Sequence, residues 1–135
     1  MTVTSFVLLP SMRTGVDSLD AEHQDLVSAI NRIGVAEQDG DQGALLVSLH
    51  AFRSELADHF ANEEHYLRML KYPESDAHVR HHSNVIIALD SLRENLGITP
   101  AGIAARCYTE LLTAVVTKDM EFLNWLDAKR SKSGR

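Results

Sequence analysis

Two pairs of side chains spaced four apart carry the chemistry of this sequence: His59 with Glu63, and His78 with His82. An α-helix turns about 100° per residue, so partners four apart share one face, one turn along the axis, and each pair offers two ligand atoms in the same direction. Imidazole nitrogen and carboxylate oxygen are the donors used for zinc, iron and manganese, and histidine is the commonest metal ligand. His23 and Asp119 fall in two further segments, so each of four segments contributes at least one candidate ligand. Facing helices of a bundle are a common frame for a two-metal site.

Taken singly, a His and a Glu four apart are more often a solvated surface pair, so the phase of the neighbouring apolar residues decides. His59 adjoins the face made by Leu56, Phe60 and Leu67, where an unpartnered imidazole would cost stability by desolvation. His50 and His65 lie roughly opposite His59 on the helical wheel, and His81 points about 60° away from His78. Those three are assigned to the surface. Glu64 is assigned to solvent because Glu63 has the better phase.

The elements that must position these residues follow from Gly, Pro and Asp clusters, which cut the chain into an arm and four long segments. The first segment opens at Asp17 or Ser18 as N-cap, carries Leu19, Leu26, Ile30 and Ile33 at helical spacing, and ends near Asp39-Gly40-Asp41. The second runs from about 42 to 70 with Leu45, Leu49, Phe52, Leu56, Phe60 and Leu67 as its apolar stripe. Tyr72-Pro73 ends it, with Pro73 in the first turn of a third helix that carries Val79, Ile86 and Leu89, reaches about Asn95 and is capped by Gly97. Thr99-Pro100 reads as N-cap and N1 of a fourth helix to about Lys129, with Leu111, Leu112, Val115, Phe122 and Leu126 inside. No segment alternates with period two, and connections of a few residues force neighbouring helices to run antiparallel. The expectation is all-α: an up-down-up-down antiparallel four-helix bundle with an N-terminal arm. With 135 residues there is room for one domain, read as arm 1–16, bundle about 17–129 and a short basic tail 130–135.

Composition excludes several functions. Thirteen Lys and Arg against 19 Asp and Glu leave a net charge of −6, without the clustered basic excess that nucleic acid requires. The longest apolar run, Val85 to Leu89, is far short of the roughly 20 residues of a membrane-spanning helix. Phe6 to Leu9 is not preceded by Lys or Arg and makes a poor secretory signal, so the cytoplasm is expected. Cys107 has no second cysteine to pair with and is read as a core residue, and Trp125 as packing.

In combination these residues resemble a known family. Gly15-Val16-Asp17-Ser18-Leu19-Asp20-Ala21-Glu22-His23-Gln24, then His59-Phe60-Ala61-Asn62-Glu63-Glu64, then Tyr72-Pro73 with His78 and His82, then Asp119 with Trp125-Leu126, are similar to a bacterial hemerythrin of the HHE cation-binding family over about residues 15–126. The resemblance implies a four-helix bundle around two non-haem iron ions, joined by an oxide or hydroxide, that bind O2 reversibly. It implies His78 and His82 on one iron, His23 and His59 on the other, and Glu63 and Asp119 bridging the two. Asp20, three residues before His23, is expected to orient that ring.

One family position differs. The family carries a His five residues before the bridging Asp, where this chain has Ala114, and an aromatic residue four before that, where it has Glu110. Glu110 lies one helical turn from Ala114 and is a candidate replacement ligand for the iron of His78 and His82; the alternative leaves Glu110 solvated, with water where the imidazole would stand. Three functions therefore compete: an O2-binding protein for storage, delivery or sensing; a di-iron site of altered coordination that reacts with peroxide or nitric oxide; and a metal-free bundle serving as an interaction module.

Overall fold

A computed structural model describes residues 5–96 and 102–133. The described residues are helical: a short 3-10 turn (Pro10–Met12), α1 (Asp17–Asp39), α2 (Gln42–Met69), α3 (Ser75–Glu94), α4 (Ile103–Thr113), a π turn (Ala114–Asp119) and α5 (Met120–Ser133). The last three run on without a break and form one rod, so the molecule is a four-helix bundle. Cross-helix pairs give the directions. Arg32 meets Glu55 and His23 meets His59 between α1 and α2; Arg53 meets Asp90 and Glu64 meets His82 between α2 and α3. In each case a later residue of one helix meets an earlier residue of the next, so neighbours are antiparallel.

The helix ends show how local chemistry sets the frame. Gly40 closes α1 in the left-handed conformation, φ 68°, which glycine adopts without a Cβ penalty. Asp41 then caps α2 by accepting from the Ala44 N–H at 3.0 Å. Two expectations about ends are corrected. The N-cap of α1 is Val16, neither Asp17 nor Ser18. Asp20 instead gathers the incoming arm, accepting from the backbone and hydroxyl of Thr14 at 2.7 and 2.8 Å and from the Gly15 N–H at 3.2 Å. Pro73 lies outside α3, whose N-cap is Glu74; the Ser75 hydroxyl bonds back to the Tyr72 carbonyl and closes that turn at 2.6 Å.

Gly97, Thr99 and Pro100 lie outside the described residues. The start of α4 is fixed from elsewhere: Glu37 of α1 accepts from the N–H groups of Gly102, Ile103 and Ala104 at 3.1, 2.9 and 2.8 Å. A carboxylate at a helix N-terminus satisfies orphan donors and complements the helix dipole. The arm is held too. Asn31 exchanges two hydrogen bonds with the Phe6 backbone, Phe6 stacks on Tyr108, and Met12 is fully buried.

Among the described residues the core has two apolar clusters. One holds Leu26, Ile30, Ile33, Leu49, Phe52, Leu56, Phe60, Val85, Leu89, Leu111 and Val115 among others, with Cys107 at 0% exposure. The second holds Leu67, Tyr72, Phe122, Leu123 and Leu126, with Trp125 packed against it. Along α2 Glu63 lies between the clusters, with His59 one turn before it beside Phe60; along the fourth rod Asp119 lies between them. A polar layer therefore divides the core, and the site lies there. Among the described residues no helix is long and apolar enough to cross a membrane.

Candidate metal centre

Six polar side chains are buried in that layer: His23, His59, Glu63, His78, His82 and Asp119, all between 0 and 4% exposed. They are the six assigned as ligands from sequence. Their donor atoms form two groups, each with atoms within 4.8 Å of one another: His23, His59, Glu63 and Asp119, and Glu63, His78, His82 and Asp119. Both carboxylates belong to both groups.

The division reaches the individual oxygens. Glu63 Oε2 lies 3.4 Å from His59 Nε2, while Oε1 lies 3.3 Å from His82 Nε2 and also contacts His78. Asp119 sends Oδ2 to within 3.3 Å of His23 Nε2 and Oδ1 to within 3.4 Å of His78 Nε2. His23 and His59 bring their Nε2 atoms to 3.2 Å of each other. Despite these separations, both Glu63 oxygens and the Nε2 atoms of His78 and His82 are buried without a hydrogen-bond partner. They converge on common points at ion-pair distances without the geometry of a hydrogen bond. Buried polar atoms left this way cost roughly 1–3 kcal/mol each, and a cation at each point removes that cost.

The π turn brings Asp119 into the layer. A π turn bonds residue i to i+5 and is a recurrent feature of functional sites. It contains the consecutive β-branched residues Val115, Val116 and Thr117, which lose side-chain freedom against a tight α-helical turn. The Thr117 hydroxyl donates to the Thr113 carbonyl, engaging a main-chain acceptor at the turn's start. Ala114 is the first residue of this turn and is buried.

Two carboxylates at the edge hold imidazoles in place. His59 Nδ1 is 3.2 Å from Glu22 Oε1, and His82 Nδ1 is 2.9 Å from Glu64 Oε2. Each contact fixes the tautomer that leaves Nε2 free to face the centre. Phe60 stacks on the His82 ring, centroids 3.8 Å apart. Electrostatics follow from this packing. Burial pushes the Glu63 carboxyl up, but the adjoining imidazoles of His59, His78 and His82 outweigh it and hold the group well below the usual carboxylate range. Burial likewise works against a charged His78, yet Asp119 and Glu63 raise it to about 9. His59 is raised against burial by Glu63, Asp119 and Glu22.

Several assignments change. Glu64 is half-buried and bonded to His82, so it does not face solvent. Glu22 was not singled out, although it adjoins His23; its partner is His59 on the next helix, which helical phase cannot reveal. Asp20 turns to Thr14 and Gly15, away from the His23 ring. His50 and His65 are exposed as expected, whereas His81 is half-buried with a buried Nε2. Glu110 stands apart from the six: it is half-buried, lines a groove with Leu89, Leu92 and Arg106, and belongs to neither ligand group.

A helical bundle with a buried layer of four imidazoles and two carboxylates defines a cation-binding protein. The family model described as Hemerythrin HHE cation binding domain matches residues 14–124, and the chain belongs to that family. No curated protein matches the sequence.

Proposed function

We propose that this chain is a non-haem di-iron protein that binds O2 in the core of its bundle. The observation that carries this reading is the pair of four-donor groups sharing Glu63 and Asp119. Under it, His23 and His59 hold one iron, His78 and His82 the other, and the two carboxylates bridge. Two irons so held would supply electrons to O2 and a place for the reduced product.

The chain's own residues do the rest. Glu63 and Asp119 offset cationic charge in a low-dielectric core, and neutral imidazoles complete the donor set without adding more. Nitrogen and oxygen donors in this mix suit iron, manganese and zinc. Glu22 and Glu64 keep the His59 and His82 rings aimed inward. The apolar clusters on either side of the layer exclude water, which limits loss of a reactive product. A metal-free interaction module would leave the buried donors unpaired, at a cost in stability.

The small side chain of Ala114 and the absence of Glu110 from both donor groups favour a second reading, in which an open position at the His78 and His82 end admits peroxide or nitric oxide. Anaerobic iron loading followed by O2 separates the two. An oxygen carrier develops an absorbance band with O2 that disappears when O2 is removed; irreversible bleaching or oxidation by the first equivalent supports the second reading.

A further inference from the structure

The rings beside the metal layer differ in what they can do. Among the described residues, two rings other than imidazoles adjoin the His78 and His82 pair. Phe60 stacks on His82, and Tyr72 stands edge-on to His78, with centroids 6.5 Å apart and planes at 78°. A benzene ring gives up an electron only to the strongest oxidants, whereas a phenol or an indole gives one up more readily as its proton leaves. Tyr72 is therefore the redox-active ring next to the ligand set.

The line continues outward. The Tyr72 ring lies 5.2 Å from that of Trp125, the one tryptophan of the chain. Both separations fall within the range of aromatic contact, about 4.5–7 Å between centroids. Tyr72 is buried, while Trp125 is half-buried and carries the Lys129 ammonium 5.0 Å from its ring centroid. His78, Tyr72 and Trp125 thus make a contiguous row of π systems from a buried ligand to the surface. The other two tyrosines stand outside it: Tyr66 is exposed, and Tyr108 stacks on Phe6 of the arm at the other apolar cluster. Electrons tunnel readily between π systems in contact, and each ring shortens the distance crossed in one step.

We propose that Tyr72 and Trp125 form an electron relay that serves the His78 end of the centre, supplying reducing equivalents for hydrogen peroxide once both irons are ferric. Tyr72 gives up one electron and its phenolic proton, and Trp125 one electron and its indole proton. Those two electrons and two protons break the O–O bond and convert one hydrogen peroxide to two waters, leaving a neutral radical on each side chain. The Lys129 cation disfavours a positively charged indole and so promotes loss of the N–H proton. A hydrogen-atom donor meeting Trp125 at the surface, ascorbate for example, restores the indole, and Tyr72 is restored through it. This inference rests on the di-iron reading and takes its peroxide branch.

The test freezes iron-loaded, oxidised protein seconds after addition of hydrogen peroxide and records its electron paramagnetic resonance spectrum, with metal content measured in parallel. Wild type should show an organic radical, part of which changes shape when the protein is made with ring-deuterated tryptophan. That change assigns Trp125 without any substitution, since the chain has one tryptophan. Trp125→Phe should lose this component and keep a tyrosyl radical. Tyr72→Phe, which keeps the ring and removes only the hydroxyl, should lose both. Tyr66→Phe should leave the spectrum as it is. All three variants should hold two irons per chain, and metal-free protein should give no radical with peroxide. The proposal is overturned if wild type holding two irons forms no radical, if deuterated tryptophan leaves its spectrum unchanged, or if the radical persists in Tyr72→Phe. Loss of iron in Tyr72→Phe also overturns it, by making the hydroxyl a support of the ligand set. A wild-type chain that takes up no iron overturns the di-iron reading itself, and the metal analysis separates that result from the others.

Discussion

Glu63 on α2 and Asp119 at the end of the π turn each divide their two oxygens between the same two histidine pairs. Loss of Glu63 therefore removes a donor from both metal positions, while loss of His59 removes one from a single position. Glu63→Ala should weaken both metals about 100-fold or more, and His59→Ala chiefly one. Stepwise metal titration of the two variants distinguishes them. Full stoichiometry with unchanged affinity in Glu63→Ala would show that it does not bridge.

The edge carboxylates should tune what they orient. Removing such a partner of a metal-bound imidazole typically costs 10- to 100-fold in metal affinity. Glu22→Gln should weaken the His59 side and Glu64→Gln the His82 side, each leaving the other nearly as it was. Two variants with wild-type affinities would reduce the contacts at 3.2 and 2.9 Å to incidental packing.

Acidity should act in opposite directions with and without metal. Burial opposes a charged His78, but the neighbouring Asp119 and Glu63 raise it to about 9, above the ordinary histidine value of about 6.5. A group raised on folding contributes stability that is complete below the unfolded value and is lost as pH rises through the folded one. Metal-free protein should accordingly melt lower at pH 9 than at pH 6.5. Loaded protein should instead lose metal as pH falls, since ligation requires neutral imidazole. A metal-free melting temperature that climbs between those two pH values would contradict this balance.

Glu37 ties the first helix to the fourth through three N–H groups. Glu37→Ala should destabilise the fold by about 2 kcal/mol, the range of a lost helix cap with charged hydrogen bonds. Chemical denaturation measures it, and a change below about 0.5 kcal/mol would mean that solvent replaces the carboxylate without penalty.

Cys107 is fully buried, and burial pushes its thiol up to about 12. Only the thiolate is nucleophilic, so iodoacetamide at pH 8 should leave folded protein unlabelled and label it fully after denaturation. Rapid labelling of the folded chain would contradict its place in the core.

What was legible in the sequence was whatever depends on position along one helix. The pairs His59 with Glu63 and His78 with His82 announce a shared face by spacing alone, and Leu56 and Phe60 show that the face is inward. All six clustered residues were reached in this way and by the family pattern. What escaped depends on neighbours across a helix interface. Glu22 adjoins His23 in sequence but bonds to His59, and Glu37 caps a helix more than sixty residues away. Asp20 has the spacing to support His23, yet three donors of the incoming arm compete for it and win. The 60° offset of His81 from His78 suggests solvent, but the residue is half-buried and its Nε2 fully so, on the helix against which the π turn packs. That turn leaves only a weak trace, a run of β-branched residues before Asp119.

The central claim is that the divided polar layer holds two metal ions. An anaerobic titration with ferrous iron, followed by metal analysis of the desalted protein, tests it most directly. The di-iron proposal predicts two irons per chain in wild type and loss of both in Glu63→Ala. A wild-type chain that retains one iron, or none, would contradict it.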